Sequence, residues 1–286
     1  MKAPRFSYHD PRQVTEVIGL LSSLENAKLL AGGQSLMPML NMRYVLPDHL
    51  IDLNRVEGLS VLAESESCLL AGTMVRQREM EFSDAVRRRL PIIKDALQWV
   101  GHRQTRNRGT LGGSLCHLDP AAELATIAAV LDAELTVQGP EGQREIAFKD
   151  FPAGFMMSCL SPQEMLMSVC FPVWPTTHGW GFVEYARRHG DFAIVSAAAM
   201  VLRGVDGRIG RAAVALGGMA AAPVRAAEAE ALLMGSTGDE ATVRAAADSC
   251  RGIDAVGDAL VPASYRQHLA GVIVARALRQ ALSRAR

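Results

Sequence analysis

Thr105-Arg106-Asn107-Arg108-Gly109-Thr110-Leu111-Gly112-Gly113-Ser114-Leu115-Cys116-His117-Leu118-Asp119-Pro120-Ala121-Ala122-Glu123 is the stretch on which the reading of this chain rests. It gathers three glycines, four small hydroxyl or amide side chains and two arginines, then turns apolar and helical at Leu124. Glycine permits positive φ and removes the Cβ that would hold a bulky group away, and consecutive backbone N–H groups in such a turn form a concave anion site. A phosphate or a planar ring system fits that description. So does a plain tight turn, because Asp119-Pro120 also reads as a helix start, with Asp as N-cap and Pro at the first helical position.

A second stretch repeats the pattern. Leu29-Leu30-Ala31-Gly32-Gly33-Gln34-Ser35-Leu36 runs from a short apolar strand through paired glycines to a polar residue, a serine and an apolar residue. Two such loops in one chain suit a ligand with two demanding parts, such as a dinucleotide carrying a pyrophosphate and a ring system.

Working outward, 286 residues leave room for two or three domains, each able to bury a core. Lys+Arg and Asp+Glu balance at 30 each, so no global charge draws the chain to nucleic acid or to an anionic membrane. Arg87-Arg88-Arg89 is the one dense basic run and reads as a solvated helix end. Met1 to Tyr8 holds no apolar signal core, and no apolar run approaches the roughly 18 residues of a membrane span, which makes a cytoplasmic protein the expectation. Cys68, Cys116, Cys159, Cys170 and Cys250 form no CxxC pair, so neither a zinc site nor a cysteine-ligated iron–sulfur cluster is written here. Each reads as a small buried hydrophobe, with Cys116, inside the second loop, set apart.

Along the chain, Val14, Val17, Ile18 and Leu21 mark an amphipathic helix over 11–23 behind Asp10-Pro11. Short strands follow at 28–30, 50–53, 60–63 and 68–72, with helices at 35–42 and 91–100. Beyond the second loop come a helix over 124–131, a hairpin closed by Gly139-Pro140-Glu141-Gly142, and a strand over 165–171. Pro172, Pro175 and Gly179 mark a linker. From Trp180 the chain reads as an independent α+β unit, with strands at 180–187, 193–203 and 208–216 and helices at 223–234, 240–250 and 264–283.

The two loops together, with Tyr185-Ala186-Arg187-Arg188-His189-Gly190-Asp191-Phe192-Ala193 and the closing helix at Tyr265-Arg266, resemble the FAD-binding medium subunit of the molybdenum hydroxylases over the full chain. That is the family of xanthine dehydrogenase, carbon monoxide dehydrogenase and the N-heterocycle dehydrogenases. The resemblance implies an α+β fold: residues 1–176 as a vanillyl-alcohol-oxidase-type (PCMH-type) FAD domain with subdomains at about 1–55 and 56–176, and residues 177–286 as a C-terminal domain of a three-stranded sheet plus helices. It implies FAD in this chain, and molybdenum cofactor and 2Fe-2S clusters on a large and a small partner subunit, assembled as a dimer of heterotrimers that passes electrons to an external acceptor.

Position by position, the resemblance implies that Leu29, Leu30, Ala31, Gly32, Gly33, Gln34, Ser35 and Leu36 hold the pyrophosphate and ribityl. Thr110, Leu111, Gly112, Gly113 and Ser114 form the second half of the cradle, with the Thr110 and Ser114 hydroxyls on phosphate oxygens. Val100 lines the adenine side, Glu123 accepts sugar hydroxyls, and Leu160 lies near the adenine. No residue of this chain is implied to be catalytic. Several relatives carry a lysine near the flavin where this chain has Glu184, so a cationic role does not transfer. The Asp119-to-Glu123 and Tyr185-to-Arg188 segments stand closer to the N-heterocycle branch than to the carbon monoxide dehydrogenases, which remain an alternative. A stand-alone flavin oxidase is a further one, and it lacks a His/Tyr/Arg cluster for substrate oxidation, since His178 and His189 are isolated in sequence. A non-catalytic scaffold would require both intact loops to be vestigial.

Overall fold

The computed structural model describes all 286 residues. Strand β1 (Ser7–His9), helix α1 (Val14–Ser23), β2 (Ala27–Leu30), helix α2 (Leu36–Asn41) and β3 (His49–Asp52) open the chain. Both β1 and β2 pair parallel to β3, in the order β1-β3-β2. Helix α1 buries Val17, Ile18 and Leu21 among Ile51, Leu53 and Met165, the one-sided burial its apolar spacing predicts.

A five-stranded antiparallel sheet follows, built from β4 (Leu62–Glu64), β5 (Cys68–Gly72), β6 (Glu134–Gly139), β7 (Gly142–Ala147) and, after the small hairpin β8 (Pro152–Gly154) and β9 (Met157–Ser158), β10 (Met165–Pro172). Its order is β4-β5-β10-β6-β7. Between β5 and β6 run six helices: α3 (Gln77–Phe82), α4 (Asp84–Arg89), α5 (Pro91–Leu97), α6 (Arg103–Arg108), α7 (Leu111–His117) and α8 (Glu123–Val130). Arg87, Arg88 and Arg89 lie in the last turn of α4, the first two exposed as read and Arg89 half-buried, donating to Ser65 O and Glu66 O. Every residue of α8 is buried, because the helix lies between this unit and the C-terminal sheet.

That last sheet is antiparallel: β11 (Gly179–Tyr185), β12 (Val195–Arg203), β13 (Ile209–Gly217) and the two-residue β14 (Val224–Arg225), in sequential order. Helices α9 (Ala227–Leu233), α10 (Glu240–Ser249) and α11 (Ala263–Arg284) complete it. Period-two alternation sorts the strands cleanly. Phe182, Ala198, Met200, Ala213 and Ala215 join the large core around α8, while Val195, Ala197, Ala199, Val201, Val214 and Leu216 join a second core with α9, α10 and α11.

Four local expectations are corrected. The sheet has four strands rather than three, because Val224 and Arg225 pair with Leu216 and Ala215 before α9 begins. Asp119-Pro120 does not start a helix: Asp119 closes a turn by accepting from the Ala121 N–H at 2.8 Å, and α8 begins only at Glu123. Residues 103–108, read as part of a loop, form α6, held by the buried Arg106–Glu81 ion pair at 2.9 Å. Cys68 and Cys170 are not separate buried hydrophobes: neighbouring β5 and β10 bring them together as a disulfide, a pairing across 102 residues that spacing alone does not reveal. Cys116, Cys159 and Cys250 are free.

Candidate FAD cradle

Strand β2 ends where its hydrogen bonding to β3 ends, at Leu30↔Asp52, and the chain then turns through Ala31–Ser35 before α2. Gly33 makes the turn possible with φ +73°, a conformation costly for any side chain. No backbone or side-chain acceptor meets the N–H groups of Gly32, Gly33, Gln34 and Ser35. Gly32 is buried and Gly33 half-buried, while Gln34 and Ser35 face solvent, and four free N–H groups in succession on one turn offer a site for an anion.

Leu30, Ala31, Gly32, Gly33 and Gln34 line a cavity of about 380 Å³ with Met37, Pro38, Asp52, Asn54 and Arg108. Asn54 ties this wall together. Its Nδ2 donates to Ala31 O at 3.1 Å, its Oδ1 accepts from Arg76, and Arg76 also donates to Arg108 O. Asp52, the one carboxylate on this wall, accepts from Tyr8 Oη at 2.6 Å and from the Asn54 N–H at 2.9 Å. Arg108 enters no ion pair, and burial together with the Arg108 charge lowers the Arg76 pKa. An anion seated on the turn would supply the partner that the Arg108 guanidinium lacks.

The second glycine segment contributes differently from expectation. Leu111 to Ser114 are the first turn of α7 rather than an open loop. Their N–H groups are already used: Leu111 donates to Val75 O at 3.0 Å, Gly112 to Thr73 O at 2.9 Å, Gly113 to the Thr110 Oγ1 cap at 3.0 Å and Ser114 to Thr110 O at 3.2 Å. A Cβ on Gly112 would overlap Thr73, so packing alone already requires glycine there. Gly32 likewise has no room on its Cβ side, where the Arg108 carbonyl and Gly109 Cα lie. A Cβ on Gly113 would sit 3.5 Å from Ala31 Cβ, so the two glycine segments pack directly on one another.

Of the remaining residues singled out in the sequence, Leu29 and Leu36 flank the turn without lining the cavity, and Ser114 keeps its half-buried hydroxyl free of any partner. Val100 and Leu160 are half-buried against the large core, and Val100 O accepts from Arg106 at 2.9 Å. Glu123 is the first residue of α8, 8% exposed, and burial pushes its carboxyl up to about 7. Asp52, Asn54, Arg76 and Arg108 escaped the sequence reading. Arg108 sat in the quoted stretch, but nothing in spacing shows that it reaches Gly32.

The C-terminal unit folds a loop against the end of α5, where a Cβ on Gly190 would also meet Gly101 O and His102. His189 stacks on Trp99 with centroids 5.3 Å apart, Gly190 turns with φ +87°, and Phe192 stands 75% exposed.

The arrangement offers a pyrophosphate the free N–H groups of residues 32–35 and the Arg108 guanidinium, donors that suit a dinucleotide. Comparison with known proteins agrees. Residues 4–174 match the FAD binding domain in molybdopterin dehydrogenase, and residues 180–281 the CO dehydrogenase flavoprotein C-terminal domain. The 6-hydroxypseudooxynicotine dehydrogenase complex subunit alpha of Paenarthrobacter nicotinovorans is 38% identical, over 100% of this chain and 97% of its own. The carbon monoxide dehydrogenase medium chain of Hydrogenophaga pseudoflava is 33% identical, over 99% of each. Among solved structures, carbon monoxide dehydrogenase from Hydrogenophaga pseudoflava superposes with a TM-score of 0.96 at 35% identity, covering 100% of both chains. Quinoline 2-oxidoreductase from Pseudomonas putida 86 gives 0.95 at 36%, covering 100% of this chain and 99% of that one. The chain belongs to the family of FAD-binding medium subunits of molybdenum hydroxylases, and is an oxidoreductase subunit of that family.

Proposed function

We propose that this chain is the electron-transfer subunit of a heterotrimer that hydroxylates an aromatic N-heterocycle or a related substrate. The observation that carries the cofactor's placement is the row of unpaired N–H groups at Gly32–Ser35 beside Arg108. In this reading residues 29–36 hold the pyrophosphate, Ser114 and Thr110 support it, Val100 and Leu160 border the adenine, and Glu123 accepts sugar hydroxyls. Bound FAD exchanges electrons singly or in pairs, so it suits a station between iron–sulfur clusters on a small partner subunit and an external acceptor. Substrate chemistry belongs to a large molybdenum-binding partner, and two heterotrimers pair in a cytoplasmic assembly. Residues 1–176 then form the PCMH-type FAD domain, in subdomains of about 1–55 and 56–176, and residues 177–286 the C-terminal domain. Relatives acting on nicotine-type substrates and on quinoline support the N-heterocycle class over carbon monoxide, the second reading.

The purified chain is expected to release FAD, not FMN, on denaturation. Mixed anaerobically with a purine, a quinoline or a nicotine-like substrate, it should keep its oxidised flavin spectrum, yet bleach with dithionite. Bleaching by any of these substrates without partners would restore the stand-alone oxidase.

A further inference from the structure

The sheet face that β11, β12 and β13 turn toward α8 is apolar in two successive rows. Trp180, Met200 and Ala213 form one, and Phe182, Ala198 and Ala215 the next. The third row is Glu184, Ser196 and Gly217, in register across the same three strands. Glu184 is 5% exposed, and neither carboxyl oxygen meets solvent or a hydrogen-bond partner; Ser196 is fully buried and its hydroxyl is equally unpartnered. Gly217 leaves space where a Cβ would run into both Ser196 Oγ and Thr126 Oγ1. Thr126 lies three residues beyond Glu123 on α8, the spacing that stacks two side chains on one helix face.

We propose that Glu184 and Glu123 form a proton-binding site buried between the two domains, in which Glu184 holds its proton at neutral pH while FAD binding is linked to the protonation of Glu123.

Two ionised carboxylates in a dry interior, unpaired with any cation, cost more than retaining a proton. The only charge acting on Glu184 is Glu123, which raises its pKa in addition to burial. Around Glu123, Asp119 adds negative charge, and Arg106, the one cation in reach, is already bonded to Glu81. On α5, which also packs against β11, Asp95 is occupied by Trp180 Nε1 and Arg284, each at 3.0 Å. A neutral Glu184 suits surroundings in which neither of its oxygens meets a donor, because an ionised carboxylate is acceptor-only and loses more by going unpaired. Burial, with the Glu123 charge added to it, pushes Glu184 up to about 8, and burial pushes Glu123 up to about 7.

The link to cofactor rests on the reading of Glu123 as acceptor of the FAD sugar hydroxyls. Acceptance favours ionised Glu123, so binding releases a proton on the acid side. Above the pH at which Glu123 is already ionised in the apo chain the link ends, and Glu184 keeps its proton throughout. FAD affinity should therefore show an acid limb, rising with pH toward neutrality by at most about tenfold per pH unit, the limit for one linked proton, and then level off.

The test is FAD titration of the apo chain across the neutral range, by calorimetry in buffers of different ionisation heat, with infrared spectroscopy of the apo chain. Glu184→Gln, and Glu184→Met should the amide misfold, are expected to abolish one protonated-carboxyl C=O band. Glu123→Gln is expected to abolish the acid limb and its proton release. Persistence of the band in both Glu184 variants would overturn the proposal. Loss of the acid limb already in the wild type would instead remove the role of Glu123 toward FAD. A chain that binds no FAD at any pH would remove the cradle itself, and the presence or absence of the Glu184 band would still decide whether the proton is held.

Discussion

At Gly33 the backbone turns with φ +73°, and a side chain there would also press on Met37 Cγ at 3.2 Å. Gly33→Ala is therefore expected to cost about 1–2 kcal/mol, the strain of placing an L residue in the left-handed region, and to weaken FAD binding because the N–H row is re-aimed. Denaturant unfolding with and without FAD checks both. A second prediction at this scale concerns pH. Glu123 and Glu184 have folded pKa values raised from 4.5 to about 7 and about 8, so between these limits the folded chain binds more protons than the unfolded one. Stability contributed by these groups is then highest at the acid end and declines as pH rises from about 4.5 to about 8. Glu164 and Glu240, both held near 2 by arginine partners, act with the opposite sign and in a lower window. Melting temperatures of the apo chain against pH should show the alkaline decline in the wild type and a shallower one in Glu184→Gln.

Among the elements, α7 decides whether the two glycine segments meet. It is only seven residues long, too short to persist on its own propensity, and two of those seven are glycine. What starts it is the Thr110 hydroxyl accepting from the Gly113 N–H, with Leu111 and Gly112 bonded outward to Val75 and Thr73. Thr110→Ala should cost about 1 kcal/mol in chemical denaturation, and Thr110→Ser should restore most of it. A loss of FAD affinity in Thr110→Ala that Thr110→Ser repairs would follow from the cap, since serine retains the accepting oxygen.

For the whole molecule, the C-terminal sheet is two-faced. One face is covered by its own α11, closely enough that a Cβ on Gly179 or Gly181 would meet the α11 backbone; the other is covered by α8 and α5 of the preceding unit. Residues 177–286 expressed alone would expose Trp180, Phe182, Ala198, Met200, Ala213 and Ala215 as one apolar patch. That fragment is expected to self-associate in light scattering, and co-expression with residues 1–176 should suppress it. A monodisperse monomeric fragment would show that the face does not need α8.

The sequence by itself marked most of the long elements and the kind of ligand. Periodicity marked α1, an apolar run α8 and alternation the three long C-terminal strands, and the paired glycines of residues 29–36 and 109–114 marked where backbone approaches something closely, because these patterns and missing Cβ atoms are local properties of a chain. Only the tertiary structure decided what each glycine is for. It assigned Gly32 and Gly112 to contact between segments, and it brought Arg76 and Asn54 to the turn from more than twenty residues away. The same holds for the disulfide of Cys68 with Cys170 and for Glu184, whose burial opposite Ser196 depends on strand register and on α8 closing over the sheet. Contacts of that range leave no period in the sequence, since their partners are chosen by packing rather than by spacing.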